Sequence, residues 1–308
     1  MKEEKRSLLK KHGYSFTGKE SGAKLCHWVS KKLIHDRSCY KEDFYGIQCH
    51  RCLQMSPVLD LCNHRCLFCW RYQDHGGREN VDFDEPKEIV ENSIGAQREL
   101  VSGFKGDERC SERMWEEARE PNQVAISLSG EPTMYPYLGE LIREYKKRGM
   151  TTFLVTNGTM PESLEDLSEL PTQLYLTLAA PNKRIYERLC IPSSRTDWDK
   201  IQRSLEIMST LNTRTVVRHT LVKGWNIGWE REYVEMIKRA DPDFVEAKGY
   251  VFVGDSRRRM SIENMPPHDM VKDFGRKEAR LLGWDILKEK EDSRVVLLGD
   301  GEIEPELR

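Results

Sequence analysis

The sequence predicts an α/β fold: a partial (β/α)6 barrel preceded by an irregular N-terminal extension. Three observations predict it. Short β-rich runs recur at 57–61, 124–128, 151–155, 173–178, 215–221 and 243–247, and amphipathic stretches at about 86–101, 137–148, 161–169, 197–211 and 229–240 lie between them. Alternating strand and helix implies a parallel sheet with right-handed crossovers. The six strand-like runs fall short of the eight of a closed barrel, although the 308 residues would just permit one.

Taken in order, residues 1–56 show no period of 2 or 3.6 and read as a layer held together by ligands. Residues 57–255 carry the repeating units. Pro86, two residues after Asp84, marks a helix start, and Gly149 after Lys146-Lys147-Arg148 marks a stop. The charge-dense stretch 103–120 reads as a solvated insertion with a short helix. Residues 256–308 form a C-terminal segment in which 268–282 reads as a helix with Met270, Phe274 and Leu281 turned inward. Chemistry in such folds gathers at the carboxyl ends of the strands.

Composition narrows the function. Hydrophobic residues make up 38% and charged residues 32%, as in a soluble globular protein. No apolar run approaches the ~20 residues that span a bilayer, and the charged start Met1-Lys2-Glu3-Glu4 has no signal-peptide character. A cytoplasmic monomer is the expectation. The formal net charge of -2 argues against a surface wholly wrapped in nucleic acid and leaves room for a basic patch. Of nine cysteines, seven lie before residue 70, which points to iron–sulfur or metal ligation in place of disulfides.

Cys62-Asn63-His64-Arg65-Cys66-Leu67-Phe68-Cys69 follows the first strand-like run. Three thiolates spaced by three and then two residues wrap one loop around three irons of a [4Fe–4S] cluster and leave the fourth open. In radical SAM chemistry the open iron chelates S-adenosylmethionine, whose reductive cleavage yields a 5′-deoxyadenosyl radical. A zinc knot is the competing reading, but zinc takes four ligands, and His64 inside so tight a loop would strain to supply one. Further residues at strand ends are candidates for S-adenosylmethionine: Phe68 within the loop, Gly130 and Glu131 in Ser129-Gly130-Glu131-Pro132, Thr156 and Asn157 in Thr156-Asn157-Gly158, and Thr177. Gly-Glu-Pro and Asn-Gly are also common turns, so placement carries more weight than identity.

Cys26, Cys39 and Cys52 form a second set, with twelve residues between neighbours. They suit a second [4Fe–4S] cluster with its own open iron. A structural zinc site, with Cys49 and Cys52 as a close pair, is the alternative. The motifs Lys24-Leu25-Cys26-His27-Trp28, Cys39-Tyr40-Lys41 through Phe44-Tyr45-Gly46-Ile47, His50-Arg51-Cys52 and Cys62-x3-Cys66-x2-Cys69-Trp70-Arg71 resemble the tRNA 4-demethylwyosine synthase family. The resemblance continues through Ser127–Thr133, Thr156–Thr159, Leu178–Asn182 and Lys248–Gly254, and so covers nearly the whole chain. It is closest to the short archaeal form, without a preceding flavodoxin-like domain.

That resemblance implies a radical SAM barrel, two [4Fe–4S] clusters and an external electron donor such as ferredoxin or flavodoxin. The substrate would be phenylalanine tRNA carrying N1-methylguanosine 3′ of the anticodon. Its methyl group would lose hydrogen to the deoxyadenosyl radical, capture two carbons of pyruvate and close to the tricyclic 4-demethylwyosine. Pyruvate can chelate the open iron of the second cluster, the mode the two cysteine triplets favour. It can instead form a Schiff base with a lysine whose amine is kept neutral, and Lys41 and Lys248 are the candidates. Trp28, Tyr45, Trp70 and Arg71 are placed to stack on a splayed base, and Arg257, Arg258 and Arg259 to meet phosphates. Two competing functions remain: a radical SAM enzyme acting on another substrate, such as a molybdopterin-type cyclase, and a non-catalytic zinc- and RNA-binding protein.

Overall fold

The computed structural model describes residue 1, residues 3–73 and residues 81–307. The chain divides into two compact units. One comprises Met1–Leu61, Gly76–Val155 and Leu167–Thr172; the other comprises Cys62–His75, Thr156–Asp166 and Gln173–Arg308.

In the first unit the elements run α1 (Glu3–Lys11), β1 (Tyr14–Phe16), β2 (Gly22–Lys24), α2 (His27–His35), α3 (Tyr40–Tyr45), β3 (Cys52–Ser56), α4 (Pro86–Leu100), α5 (Glu112–Arg119), β4 (Gln123–Ile126), α6 (Leu138–Lys146) and β5 (Thr151–Thr156). The strands lie in the order β1-β2-β3-β4-β5. β3, β4 and β5 are parallel, and β2 and β1 extend the sheet antiparallel. All four residues of β4 are buried, as expected for a parallel strand covered on both faces. Pro86 stands in the first turn of α4, where its missing N–H costs no hydrogen bond.

The second unit contains α7 (Pro161–Glu165), β6 (Gln173–Thr177), α8 (Lys183–Leu189), α9 (Asp197–Met208), β7 (Arg214–Leu221), α10 (Glu230–Ala240), β8 (Phe244–Gly249), α11 (His268–Leu282), β9 (Asp285–Lys290) and β10 (Val295–Gly299). Its strand order is β6-β7-β8-β10-β9. β6, β7 and β8 are parallel, and β10 and β9 continue antiparallel. Tyr233, Val234, Met236, Ile237 and Ala240 form the buried stripe of α10, spaced as one helical face. Each unit thus holds three parallel strands, and the α/β class follows the sequence reading.

Four expectations need correction. The first parallel strand is Cys52–Ser56, not 57–61. Pro57 has no N–H to give a ladder, and the Ser56 hydroxyl accepts from Val58 N at 3.1 Å while donating to Ser129 O, which turns the chain. Residues 1–56 are largely regular, in helices and three-residue strands too short to show a period. The charged stretch 103–120 has an inner face: Trp115 and Ala118 of α5 pack with Val29, Leu33 and Val101. In α11 the buried face is Val271, Phe274, Gly275, Glu278 and Ala279, leaving Leu281 40% exposed. The apolar run Val295–Leu298, buried throughout as β10, has no counterpart among the six strand-like runs of the sequence.

Candidate active site

In the first unit, three chain segments deliver the long-spaced cysteines. Cys26 is the N-cap of α2 and Cys39 the N-cap of α3, and neither thiol caps its own helix. Cys52 opens β3. Burial pushes the Cys52 thiol up; Cys26 and Cys39 push it further, and Lys41 opposes them, which places all four side chains in electrostatic reach. Cys49 occupies a different niche. Burial raises its thiol too, its sulfur accepts Cys39 N–H at 3.4 Å, and its own N–H donates to Glu42 Oε2 at 2.8 Å. Glu42 Oε1 pairs with Lys32 at 2.9 Å, so Cys49 belongs to a brace behind Cys39.

Lys41 of α3 is buried, with Nζ 4.2 Å from the centre of the Phe153 ring. An ammonium over an aromatic face is held by cation–π attraction where water is scarce. Trp28 is half-buried, with the Arg37 guanidinium 5.9 Å from its ring centre. Tyr45 does not fit its expected role. Its ring is fully buried and packs edge-on to Phe44 at 6.1 Å, so it is a core residue with no face for a base.

Gly130 and Glu131 end the turn after β4. Gly130 has φ +70, and a Cβ there would stand 1.8 Å from Val58 O and 2.6 Å from Leu61 O. Close passage of residues 58–61 therefore demands this glycine without reference to a ligand. Buried Glu131 accepts from Thr133 N at 3.2 Å and Thr133 Oγ1 at 2.6 Å through Oε1.

In the second unit the loop Cys62–Cys69 is built by short-range bonds. Cys69 N–H donates to Cys66 O at 3.1 Å, and Gln73 Nε2 donates to the same carbonyl at 3.0 Å. The Cys66 thiol is pushed up by a hydrogen bond with Cys190, by burial and by the Cys190 charge, while burial and Cys66 raise Cys69. His64 is buried and pushed down to about 4 by desolvation, and its Nε2 meets the Tyr186 hydroxyl at 2.6 Å. It serves the packing of the loop, which removes the ligand needed by a zinc knot here.

The other residues of this unit divide by role. Asn157 Nδ2 donates to Asn63 Oδ1 at 2.9 Å, its Oδ1 accepts from Thr159, and Thr156 Oγ1 accepts Gly158 N–H at 3.0 Å. This pair stabilises its turn and the start of the cysteine loop together. Thr177 closes β6, half-buried, opposite Arg218 of β7. Phe68 packs with Leu189, Val222 and Tyr250. Lys248 Nζ donates to Ser293 O at 3.0 Å, in the strand pairing of β8 with β10.

Trp70 is 37% exposed, and the buried Arg71 guanidinium lies 3.4 Å from its ring centre, leaving the indole a stacking surface. Arg257 and Arg258 are exposed. Arg259 turns inward, donating to Leu67 O at 3.3 Å and to Cys69 O, and pairing with Asp255 at 3.2 Å. It braces the cysteine loop and does not extend the exposed pair.

Among the described residues, no three His, Cys, Asp or Glu side chains close on a point tightly enough to cage a metal ion. The fit to iron–sulfur clusters rests on the donors: all six cysteines of the two sets are reduced and half-buried, three in each unit. Sequence reasoning missed Cys190, the inward turn of Arg259 and the Lys32–Glu42–Cys49 brace. Each depends on contacts between distant segments, and no local pattern announces them.

Comparison with known proteins gives the family. Residues 56–238 match the radical SAM superfamily, and residues 239–300 match a family described as wyosine base formation. The S-adenosyl-L-methionine-dependent tRNA 4-demethylwyosine synthase of Pyrococcus abyssi is 49% identical over 312 residues, covering 99% of this chain and 91% of that protein. The enzyme of the same description from Methanocaldococcus jannaschii is 38% identical, covering 96% of each. A solved structure of TYW1 with a lysine-pyruvate adduct bound is 37% identical with a TM-score of 0.91, covering 100% of this chain and 99% of that one. An archaeal TYW1 crystal structure is 34% identical with a TM-score of 0.83, over 100% of both chains. The chain belongs to the radical SAM family of tRNA 4-demethylwyosine synthases.

Proposed function

We infer that this protein is a tRNA-modifying enzyme that condenses N1-methylguanosine, 3′ of the anticodon of phenylalanine tRNA, with two carbons of pyruvate to form 4-demethylwyosine. The observation that carries this reading is that one chain holds both a three-thiol loop at Cys62–Cys69, in its second unit, and a second thiol triplet beside a buried lysine, Lys41, in its first. Cys62, Cys66 and Cys69 would hold the radical cluster, and Cys26, Cys39 and Cys52 a second [4Fe–4S] cluster. The first supplies reductive cleavage of S-adenosylmethionine to methionine and a 5′-deoxyadenosyl radical. A separate ferredoxin or flavodoxin would deliver the electron, and the protein would work as a cytoplasmic monomer; none of its described helices is long and apolar enough to cross a membrane.

Two modes of pyruvate binding remain chemically open, and the lysine-pyruvate adduct of the TYW1 structure favours the covalent one over chelation. Lys41 fits that role better than Lys248, whose amine is tied to Ser293 O within the sheet. In this mode the Lys41 ammonium first gives up a proton to water, the neutral Nζ adds to the keto carbon and water leaves, giving an imine that fixes the two-carbon fragment in place. Burial beside Phe153 restricts water that would hydrolyse it. Trp70 over Arg71 in the second unit, and Trp28 in the first, are the stacking surfaces offered to a splayed guanine, and Arg257 and Arg258 in the 256–308 segment would meet phosphates.

The test is anaerobic incubation with S-adenosylmethionine, pyruvate, a low-potential reductant and N1-methylguanosine-containing tRNA, followed by nucleoside mass spectrometry. A tricyclic base carrying label from pyruvate is expected. Formation of 5′-deoxyadenosine without modified tRNA would move the chain to another radical SAM substrate. Zinc without iron would favour the RNA-binding protein.

A further inference from the structure

The cysteine loop of the second unit is held in two different ways. Main chain pins it to the strip 189–193: Arg65 N–H is shared between Cys190 O at 3.1 Å and Ile191 O at 3.0 Å, and Leu67 N–H donates to Leu189 O at 2.9 Å. A side chain supplies the other hold. Arg259 donates to Leu67 O at 3.3 Å and to Cys69 O, and its guanidinium is in turn held by Asp255 Oδ2 at 3.2 Å. The backbone of Asp255 is fixed to the end of the same loop. Its N–H donates to Trp70 O at 2.9 Å, and Gly254 before it has φ +58, where a Cβ would stand 2.3 Å from that oxygen. The Asp255 carboxylate also carries a second arginine, with Oδ1 facing Arg258 Nε at 3.3 Å.

One carboxylate thus serves two cations in unlike surroundings. The Arg259 side chain is 21% exposed and turned to the loop, whereas that of Arg258 is 76% exposed and open to an anion from solvent. Arg257 is tied instead to Phe252 O at 3.3 Å. An exposed ion pair such as Arg258–Asp255 is weak, and an RNA phosphate, backed by the field of its neighbours, competes for the guanidinium. We propose that Asp255 is a positioning residue that couples RNA binding to the cysteine loop: a backbone phosphate draws Arg258 off Oδ1, the carboxylate is left to Arg259 alone, and Arg259 closes more firmly on Leu67 O and Cys69 O. The proposal rests on the reading that the substrate is a tRNA. Loss of the Arg258 charge strengthens the Asp255–Arg259 attraction, because a carboxylate flanked by one cation is less neutralised than one flanked by two. Linkage makes the effect reciprocal: what firms the loop through Asp255 also releases Arg258 to the phosphate.

The test is amide hydrogen exchange of peptides covering 62–71 in the anaerobically reconstituted full-length protein, with and without saturating N1-methylguanosine-containing tRNA, together with tRNA affinity by anisotropy. In the wild type, tRNA should slow exchange of the loop. Arg258→Gln removes the competing cation, so its loop should exchange slowly before tRNA is added and gain little afterwards. Asp255→Asn breaks the link: its loop should exchange fast in both states, while its tRNA affinity rises by roughly two- to fivefold, the size of an exposed ion pair. A merely structural role for Asp255 predicts no such gain in affinity. Equal slowing by tRNA in all three proteins would overturn the proposal and report direct cover by the RNA. An Arg258→Gln loop exchanging at the wild-type rate without tRNA would overturn it too, as would iron-replete Asp255→Asn with unchanged or weaker affinity. Should Asp255→Asn fail to retain iron, Arg258→Gln decides alone: a loop slowed before tRNA supports the proposal, and one at the wild-type rate overturns it. Absence of tRNA binding by the wild type would overturn the substrate reading itself, whereas binding with an unmoved loop would overturn only the coupling through Asp255.

Discussion

The two cysteine sets are built in opposite ways. In the second unit, Cys62, Cys66 and Cys69 sit on one loop whose spacing nearly fixes their geometry, and the fold adds splints: Gln73, Arg259 and the 189–193 strip. In the first unit, Cys26, Cys39 and Cys52 come from the starts of two helices and a strand. There the spacing specifies little, and convergence depends on α2, α3 and β3 being correctly packed. A short-loop site tolerates remodelling of the surrounding fold; a site assembled from distant segments inherits the stability of its whole unit.

The largest expected effect tests the short loop. Replacing Cys62, Cys66 or Cys69 with Ala should reduce anaerobic formation of 5′-deoxyadenosine to background, measured by chromatography. Retention of cleavage by all three variants would break the assignment of this loop. The triple variant Cys26→Ala, Cys39→Ala, Cys52→Ala should lose about half of the iron, since one of two clusters of equal size is removed. It should still cleave S-adenosylmethionine without producing the tricyclic base. Iron at the wild-type level with zinc lost would make the first unit's set a structural zinc site, and the contrast would become one between a cluster and a zinc knot.

The lysines give the next, smaller contrast. Lys41→Arg keeps the charge and loses the imine-forming amine, so borohydride trapping of labelled pyruvate on the protein should vanish. Lys248→Arg should trap label at close to the wild-type level, because its amine serves the strand pairing near Ser293. Labelled peptide containing Lys248 would reverse the assignment. No label in the wild-type protein, with pyruvate perturbing the spectrum of a variant lacking Cys62, Cys66 and Cys69, would restore chelation by the second set.

The parts of this molecule legible in its sequence are those encoded over short distances. The βα alternation, the cysteine loop and the α11 boundaries all rest on local periods or spacings. Boundaries slip where tertiary hydrogen bonds decide them, as at Ser56–Val58, where a side chain ends a strand that β-propensity would continue. Gly130 reads in the sequence as room for a ligand, yet its φ and the passing carbonyls of Val58 and Leu61 give it a structural task. Tyr45 lies beside the cysteine motif in sequence and points into the core. Sequence proximity to a motif says that a residue is near the site along the chain; which way its side chain faces is set by helix phase and packing.

The smallest expected effect concerns the arginine triplet, three adjacent cations that the structure divides. Arg257 and Arg258 are exposed, whereas Arg259 is held against the cysteine loop by Leu67 O, Cys69 O and Asp255. Each phosphate that the protein ceases to neutralise removes roughly 0.7–0.9 from the slope of log affinity against log salt. Substituting Gln for both Arg257 and Arg258 should therefore flatten the tRNA-binding slope by about 1.5, with iron content and S-adenosylmethionine cleavage unchanged. Arg258 also faces Asp255 at 3.3 Å, so part of its charge is already compensated, and its share of that change should be the lesser. Arg259→Gln should behave in the opposite sense: little change in salt slope, but less iron retained, because two carbonyls of the cysteine loop lose their donor. Fluorescence anisotropy of labelled tRNA across a salt series, paired with iron analysis of the same preparations, separates the two. If Arg259→Gln flattened the slope as much as either neighbour did while keeping its iron, the triplet would act as one phosphate-binding patch, and the second unit's loop would be held without it.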